Sequence, residues 1–255
     1  MALNRSDIKS LRDDLSPFLI HLTRGGTYRK WKDIHNTPTD VNPTLNAKSS
    51  LEEIIRNSKI EARSPFGYFN YSIPYGTKNL NSKEQRYWLQ SVCFTETPVD
   101  HIHIQFQNII GRSLQFEPYG LAFFENSVRS NNGGPVMYFD TNNRAIRQSL
   151  DTIPTSNICT SIKSLLPLYE GFGPPLFSRY GSPAEIDFRW EREWRIVGDF
   201  NYSLISDVAF GICPTSEISY FENLVGSKFP FIDPTPPIQT MKQKLKQNSK
   251  LQNLV

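Results

Sequence analysis

The chain has 255 residues, with 28 Lys+Arg against 25 Asp+Glu and a formal charge of +3, which at about 100 to 200 residues per domain is one large domain or two small ones. Leu, Ile, Val and Phe make up 69 of the 255, above the level of about 20% below which highly charged chains stay disordered, so a buried core is within reach. No apolar run approaches the roughly 18 residues of a membrane span, and residues 1–10 lack the apolar stretch of a signal peptide, so a soluble, cytoplasmic protein with no membrane partner is expected.

The charge is unevenly placed. Residues 235–255 carry Lys242, Lys244, Lys246 and Lys250 and no acid, and the first 234 residues are left at −1. A generally basic nucleic-acid-binding surface is therefore not indicated, although a local patch remains open. The three cysteines, Cys93, Cys159 and Cys213, are too far apart for a zinc or redox motif, and their odd number argues against a disulfide framework.

In chain order, residues 18–23 (FLIHLT) read as a first strand interrupted by one histidine. Residues 25–49 form a long polar loop of the kind often used as a lid. Ser50 and Glu53 have the spacing of a capping box for a short helix with Leu51, Ile54 and Ile55 on one side, and residues 59–63 read as a return strand. Residues 90–95 (QSVCFT) are a further strand. Thr97-Pro98 opens a helix with Val99, Ile102, Phe106 and Ile109 on one side.

Residues 119–124 and 135–140 are two more strands around an Asn132-Gly133-Gly134 turn. Residues 145–168 read as helical and 171–183 as a second long loop. The clearest strand is 186–197 (IDFRWEREWRIV), followed by a strand at 207–212 and a helix at 216–225. The run 230–237 (PFIDPTPP) breaks regular structure, and a lysine-rich helical tail follows. The whole is a mixed α+β chain without the strand-helix alternation of a doubly wound parallel sheet. The organisation expected is one domain over 1–234 and a tail over 235–255.

Phosphate-binding motifs are missing: Gly171-Phe172-Gly173 runs into Pro174-Pro175, and there is neither a P-loop nor a hydrolase elbow. His101 and His103, two apart on a helix, would point about 200° apart, so no metal site is expected. On a strand, Arg189, Glu191, Glu193 and Arg195 would share one face, with Phe188, Trp190, Trp194 and Ile196 on the other. The polar face reads either as an ion-pair ladder in solvent or as a glutamate pair in a cleft, held ionised by arginines and able to stabilise a cationic sugar transition state. His21 reads either as a core histidine or, with Thr23 on the same face, as a ligand-binding group at a strand end.

Five segments, residues 18–24 (FLIHLTR), 51–67 (LEEIIRNSKIEARSPFG), 91–102 (SVCFTETPVDHI), 119–123 (YGLAF) and 190–200 (WEREWRIVGDF), together resemble the AbiGi family of abortive phage-resistance proteins. That family is similar to ADP-ribosyltransferase toxins of the DarT and CmdT kind. The resemblance implies an ADP-ribosyltransferase-like split β-sheet with peripheral helices, binding NAD as co-substrate and modifying RNA or DNA in a toxin-antitoxin system. It implies Glu193 as the late-strand catalytic glutamate and Glu191 as the residue orienting the acceptor. His21, Thr23, Arg24, Arg63 and Tyr119 would bind NAD, with Phe94 and Thr95 an alternative to Tyr119. An antitoxin or chaperone would dock on the tail, whose Met241, Leu245, Leu251 and Leu254 lie among the lysines. The competing function is a non-catalytic antitoxin or sensor that keeps the same fold.

Overall fold

A computed structural model describes residues 14–24, 46–62, 64–65, 68, 90–107, 116–151, 165–173, 187–235 and 237–255. Arg63, Ile109, Cys159, most of the polar loop 25–49 and most of the second loop lie outside the described residues. Strand β1 is Phe18–Leu22. Helix α1, Ala47–Asn57, starts before the serine that the sequence marks, because Asn46 is the cap: its Oδ1 accepts the Ser49 N–H at 2.8 Å. Leu51 and Ile55 give α1 its buried side, and Ser58 ends it in a left-handed conformation at φ 48°. Strand β2 is Lys59–Ile60, β3 is Ser64–Pro65 and β4 is Gln90–Thr95.

Val99–Phe106 winds as a 3₁₀ helix rather than the expected α-helix. Its cap position is Pro98, with no side-chain hydrogen bond. The Thr97 hydroxyl is used elsewhere, 2.6 Å from the Thr95 hydroxyl and 3.0 Å from Gln105 Nε2. Strand β5 is Gly120–Phe124, α2 is Glu125–Ser130, β6 is Gly134–Pro135 and β7 is Met137–Asp140. Helix α3 is Arg144–Asp151, and a 3₁₀ turn at Leu166–Leu168 leads into β8, Tyr169–Phe172, which the sequence reading does not contain.

The long strand expected over 186–197 is a correction. Arg189–Glu191 is a 3₁₀ turn, Arg192 caps it in a left-handed conformation at φ 48°, and only Glu193–Val197 is extended, as β9. Strand β10 is Phe200–Asn201 and β11 is Val208–Ile212. A 3₁₀ turn at Thr215–Glu217 precedes α4, Ile218–Leu224, then β12, Phe231–Ile232, and α5, Ile238–Lys246.

The chain is mixed α+β and its strands pair mostly antiparallel. It divides into two compact units, and β4 is shared between them. The first unit draws on Met1–Lys59, Phe94–Val128 and Asn201–Val255. Its strands run in the order β12-β11-β5-β1, with Thr95 of β4 beside Ile20 of β1; only the β11–β12 pair is parallel. Gly120 lets β5 lie close to β1, since a Cβ there would stand 2.5 Å from the His21 carbonyl oxygen. Phe18, Ile20, Ile102, Phe210 and Ile212 form the core together with Met241, Leu245 and Leu251. The last three are 3%, 0% and 0% exposed, so three of the four tail positions expected to be open to a partner are filled by the chain's own core, and Leu254 alone of the four stays exposed, at 41%. Lys242 and Lys244 pair with Asp100 and Glu222 at 2.8 Å each.

The second unit draws on Ile60–Cys93 and Arg129–Phe200. Within it β3 pairs with β4, and β9 lies between β4 and β6, with Gly134 opposite Arg195. A separate parallel pair, β7 and β8, sets Tyr138 opposite Glu170. Tyr68, Phe139, Leu150 and Leu166 form a small core under it. Among the described residues, no helix is long and apolar enough to cross a membrane.

Candidate functional site

In the second unit, β9 carries Glu193 and Arg195 on one face, as alternation requires. Arg195 is 2% exposed and its planar fork meets the Glu193 carboxylate twice, Nε to Oε1 at 2.9 Å and Nη2 to Oε2 at 2.7 Å. Nη2 also donates to Glu170 Oε2 at 3.0 Å, and Nη1 donates to the Pro167 carbonyl. Burial opposes the guanidinium charge, but Glu193 and Glu170 outweigh it and hold Arg195 well above its ordinary range. The arrangement is neither a solvated ladder nor an open carboxylate pair. It is a buried guanidinium between two carboxylates, one of which, Glu193, keeps 14% of its side chain exposed.

Glu191 is not on β9. It ends the 3₁₀ turn, half-buried, with its N–H on the Phe188 carbonyl at 2.9 Å, one residue before the left-handed Arg192, and its charge acts on the Tyr138 hydroxyl together with those of Glu193 and Glu170. The two tryptophans on either side of Arg192 are not equivalent: Trp190 is 37% exposed while Trp194 is 8%. Arg189 forks onto Asp187 at 2.9 and 2.6 Å, with its Cζ 3.9 Å from the centre of the Phe172 ring. Of the expected flanking, the pairing of Arg195 with Glu193 is present.

Two further groups face this network. Burial, then the Glu193 charge, pushes the Cys93 thiol well above its ordinary range. The Tyr138 hydroxyl is likewise pushed up, by burial first and then by Glu193, and donates to the Phe188 carbonyl at 3.3 Å. Both groups stay protonated and can act only as donors or neutral neighbours at ordinary pH.

In the first unit, His21 is half-buried on β1 with its ring edge-on to Phe94, centroids 5.9 Å apart. Thr23 lies past the end of β1 and is buried. Its hydroxyl faces the carbonyls of Ala47 at 2.8 Å and Tyr119 at 3.2 Å, and its N–H donates to Tyr119 at 2.9 Å. Thr23 and Tyr119 are thus brought together, with the threonine proton engaged in tying β1 to α1. Arg24 follows, half-buried.

The Tyr119 ring leans on Phe221 and its hydroxyl is pushed up to about 12, by burial and then by the Glu217 carboxylate. Glu217 holds Lys48 at 3.1 Å, and Lys48 lies 4.8 Å above the Tyr220 ring. Glu217 Oε2 is buried without a hydrogen-bond partner among the described residues. Arg63 cannot be placed in either group, because it lies outside the described residues.

Sequence reasoning missed Glu170, Tyr138 and Glu217. The first two sit on strands β7 and β8, and no local spacing announces a partner 25 residues away such as Glu170 to Arg195. Among the described residues, no group of three or more His, Cys, Asp or Glu is placed to hold a metal ion. Compared with protein-family models, with curated proteins and with solved structures, the chain matches none.

Proposed function

We propose that the chain is an NAD-dependent mono-ADP-ribosyltransferase toxin of a bacterial anti-phage system, with an ADP-ribosyltransferase-like split sheet and Glu193 as its catalytic carboxylate. The observation that carries this reading is the state of Glu193: a carboxylate on a strand, oriented by two hydrogen bonds from a buried arginine and still partly exposed. A carboxylate has about four lone-pair sites, so a bidentate arginine leaves others for a ribose hydroxyl. Cleaving the bond between nicotinamide and ribose passes through an oxocarbenium-like transition state, as glycoside hydrolysis does, and a fixed carboxylate stabilises the developing positive charge. Glu191, on its turn, would orient the acceptor.

The acceptor on this reading is RNA or DNA. Two of the tail's four lysines, Lys242 and Lys244, are paired with carboxylates, so phosphate contacts from the tail would come first from Lys246 and Lys250. An antitoxin or chaperone docking on the tail would use the polar side of α5 and the exposed Leu254, because Met241 and Leu245 are buried. One observation favours the second reading, a non-catalytic antitoxin or sensor: a buried carboxylate-guanidinium-carboxylate network can serve structure alone.

Incubation of the wild type and of Glu193→Gln with adenylate-labelled NAD and RNA, DNA or cell lysate separates the two. Label moving into one macromolecular pool with the wild type and not with the variant supports the transferase. Label remaining in NAD with both proteins leaves the non-catalytic reading.

A further inference from the structure

The residue with the least obvious purpose in the second unit is Glu170. It is a carboxylate 5% exposed on a short strand, and burying a charge is costly unless something uses it. It lies opposite Tyr138 in the parallel register of β7 and β8, so the two side chains leave the pair on one side. Each reaches a different part of the candidate site. Glu170 takes Arg195 Nη2, and Arg195 in turn holds both oxygens of Glu193. Tyr138 donates to the Phe188 carbonyl, which also accepts the Glu191 N–H.

We infer that Glu170 and Tyr138 are positioning residues: side by side on β7 and β8, they fix Glu193 through Arg195 and Glu191 through its turn. The inference rests on the catalytic reading of Glu193 for its consequence in turnover, but not for its geometry. Arg195 alone could swing about its own side chain. With Glu170 and the Pro167 carbonyl on its far side, the guanidinium plane has one orientation, and the Glu193 carboxylate inherits it. The two candidate carboxylates lie on different elements, the 3₁₀ turn and β9, on either side of the left-handed Arg192, and β7 and β8 supply what strand alternation does not.

The test uses Glu170→Gln and Tyr138→Phe, which keep shape and remove a charge or a single hydroxyl. Nicotinamide release from NAD gives kcat and KM, and exchange of the Arg195 Nε–H with solvent, followed by NMR, reports the orientation of the guanidinium without needing activity. The expected result for Glu170→Gln is a fall in kcat of about 10-fold with KM within about 2-fold, since the loss is of transition-state alignment rather than of binding. Exchange of the Arg195 Nε–H should accelerate by about 10-fold in the same variant, and Tyr138→Phe should lower kcat without accelerating that exchange.

Unchanged exchange in Glu170→Gln overturns the inference, as does a change confined to melting temperature. Should the wild type release no nicotinamide, the catalytic reading fails by itself, and the exchange rates still decide whether Glu170 orients Arg195.

Discussion

Two ion pairs of similar length hold very different places in this molecule. Lys48 meets Glu217 at 3.1 Å with side chains 34% and 23% exposed; Arg195 meets Glu193 at 2.7 Å with side chains 2% and 14% exposed. The lysine is a point charge on a flexible stem, near a tyrosine ring and in reach of water, where such pairs contribute little. The arginine is a fixed fork with several acceptors and is almost wholly buried. Removing one member of such a buried pair strands a charge, and the cost is set by desolvation rather than by the distance. Distance alone would rank these pairs as neighbours, whereas burial and fork geometry separate them.

The sharpest way to test that difference is Arg195→Met, which should destabilise the protein by about 3 to 5 kcal/mol in denaturant unfolding, because Glu193 and Glu170 would face a buried methyl group. The same contrast recurs within α5. Leu245→Ala should cost about 3 kcal/mol, since Leu245 is 0% exposed in the first unit's core. Lys244→Met, one residue away and paired to Glu222 at 2.8 Å with about a third of each side chain exposed, should cost under about 1 kcal/mol in the same measurement. Equal losses for the two α5 variants would remove the distinction. Smallest is Lys48→Met, for which no resolvable change in melting temperature is expected.

Alkaline pH gives a further test. Burial, then the Glu217 charge, raises the Cys213 thiol from 9.0 to about 12 in the folded state. Between those values the unfolded chain has released this proton and the folded chain retains it, so stability falls as pH rises through the window. Cys213→Ala should flatten that decline in denaturant titrations taken at several pH values, whatever it does to stability at neutral pH.

Elements whose signals are local were legible in the sequence. Strand β4 has the bounds read from QSVCFT, and β1 and β5 differ from theirs by one terminal residue. Errors arose where one local signal had two solutions. Asn46 and Ser50 both precede a helical run, and Asn46 won because its side chain reaches the Ser49 N–H. In residues 186–197 the alternation of apolar and charged residues is genuine, but a left-handed residue at Arg192 uncouples Trp190 from Trp194 and Glu191 from Glu193. The tail's apolar positions were visible, but periodicity does not say whether the surface they cover is this chain's own or a partner's. Glu170 was hidden for a different reason: its role exists only once β7 and β8 pair and Arg195 is buried across from them.

The central claim is that Glu193 is a working carboxylate and not only half of an ion pair. The most direct measurement is nicotinamide release from NAD by the wild type and by Glu193→Gln, with melting curves showing both to be folded. The account predicts release by the wild type and a loss of at least about 100-fold in the variant. Equal release by both folded proteins, or none by either, would contradict it.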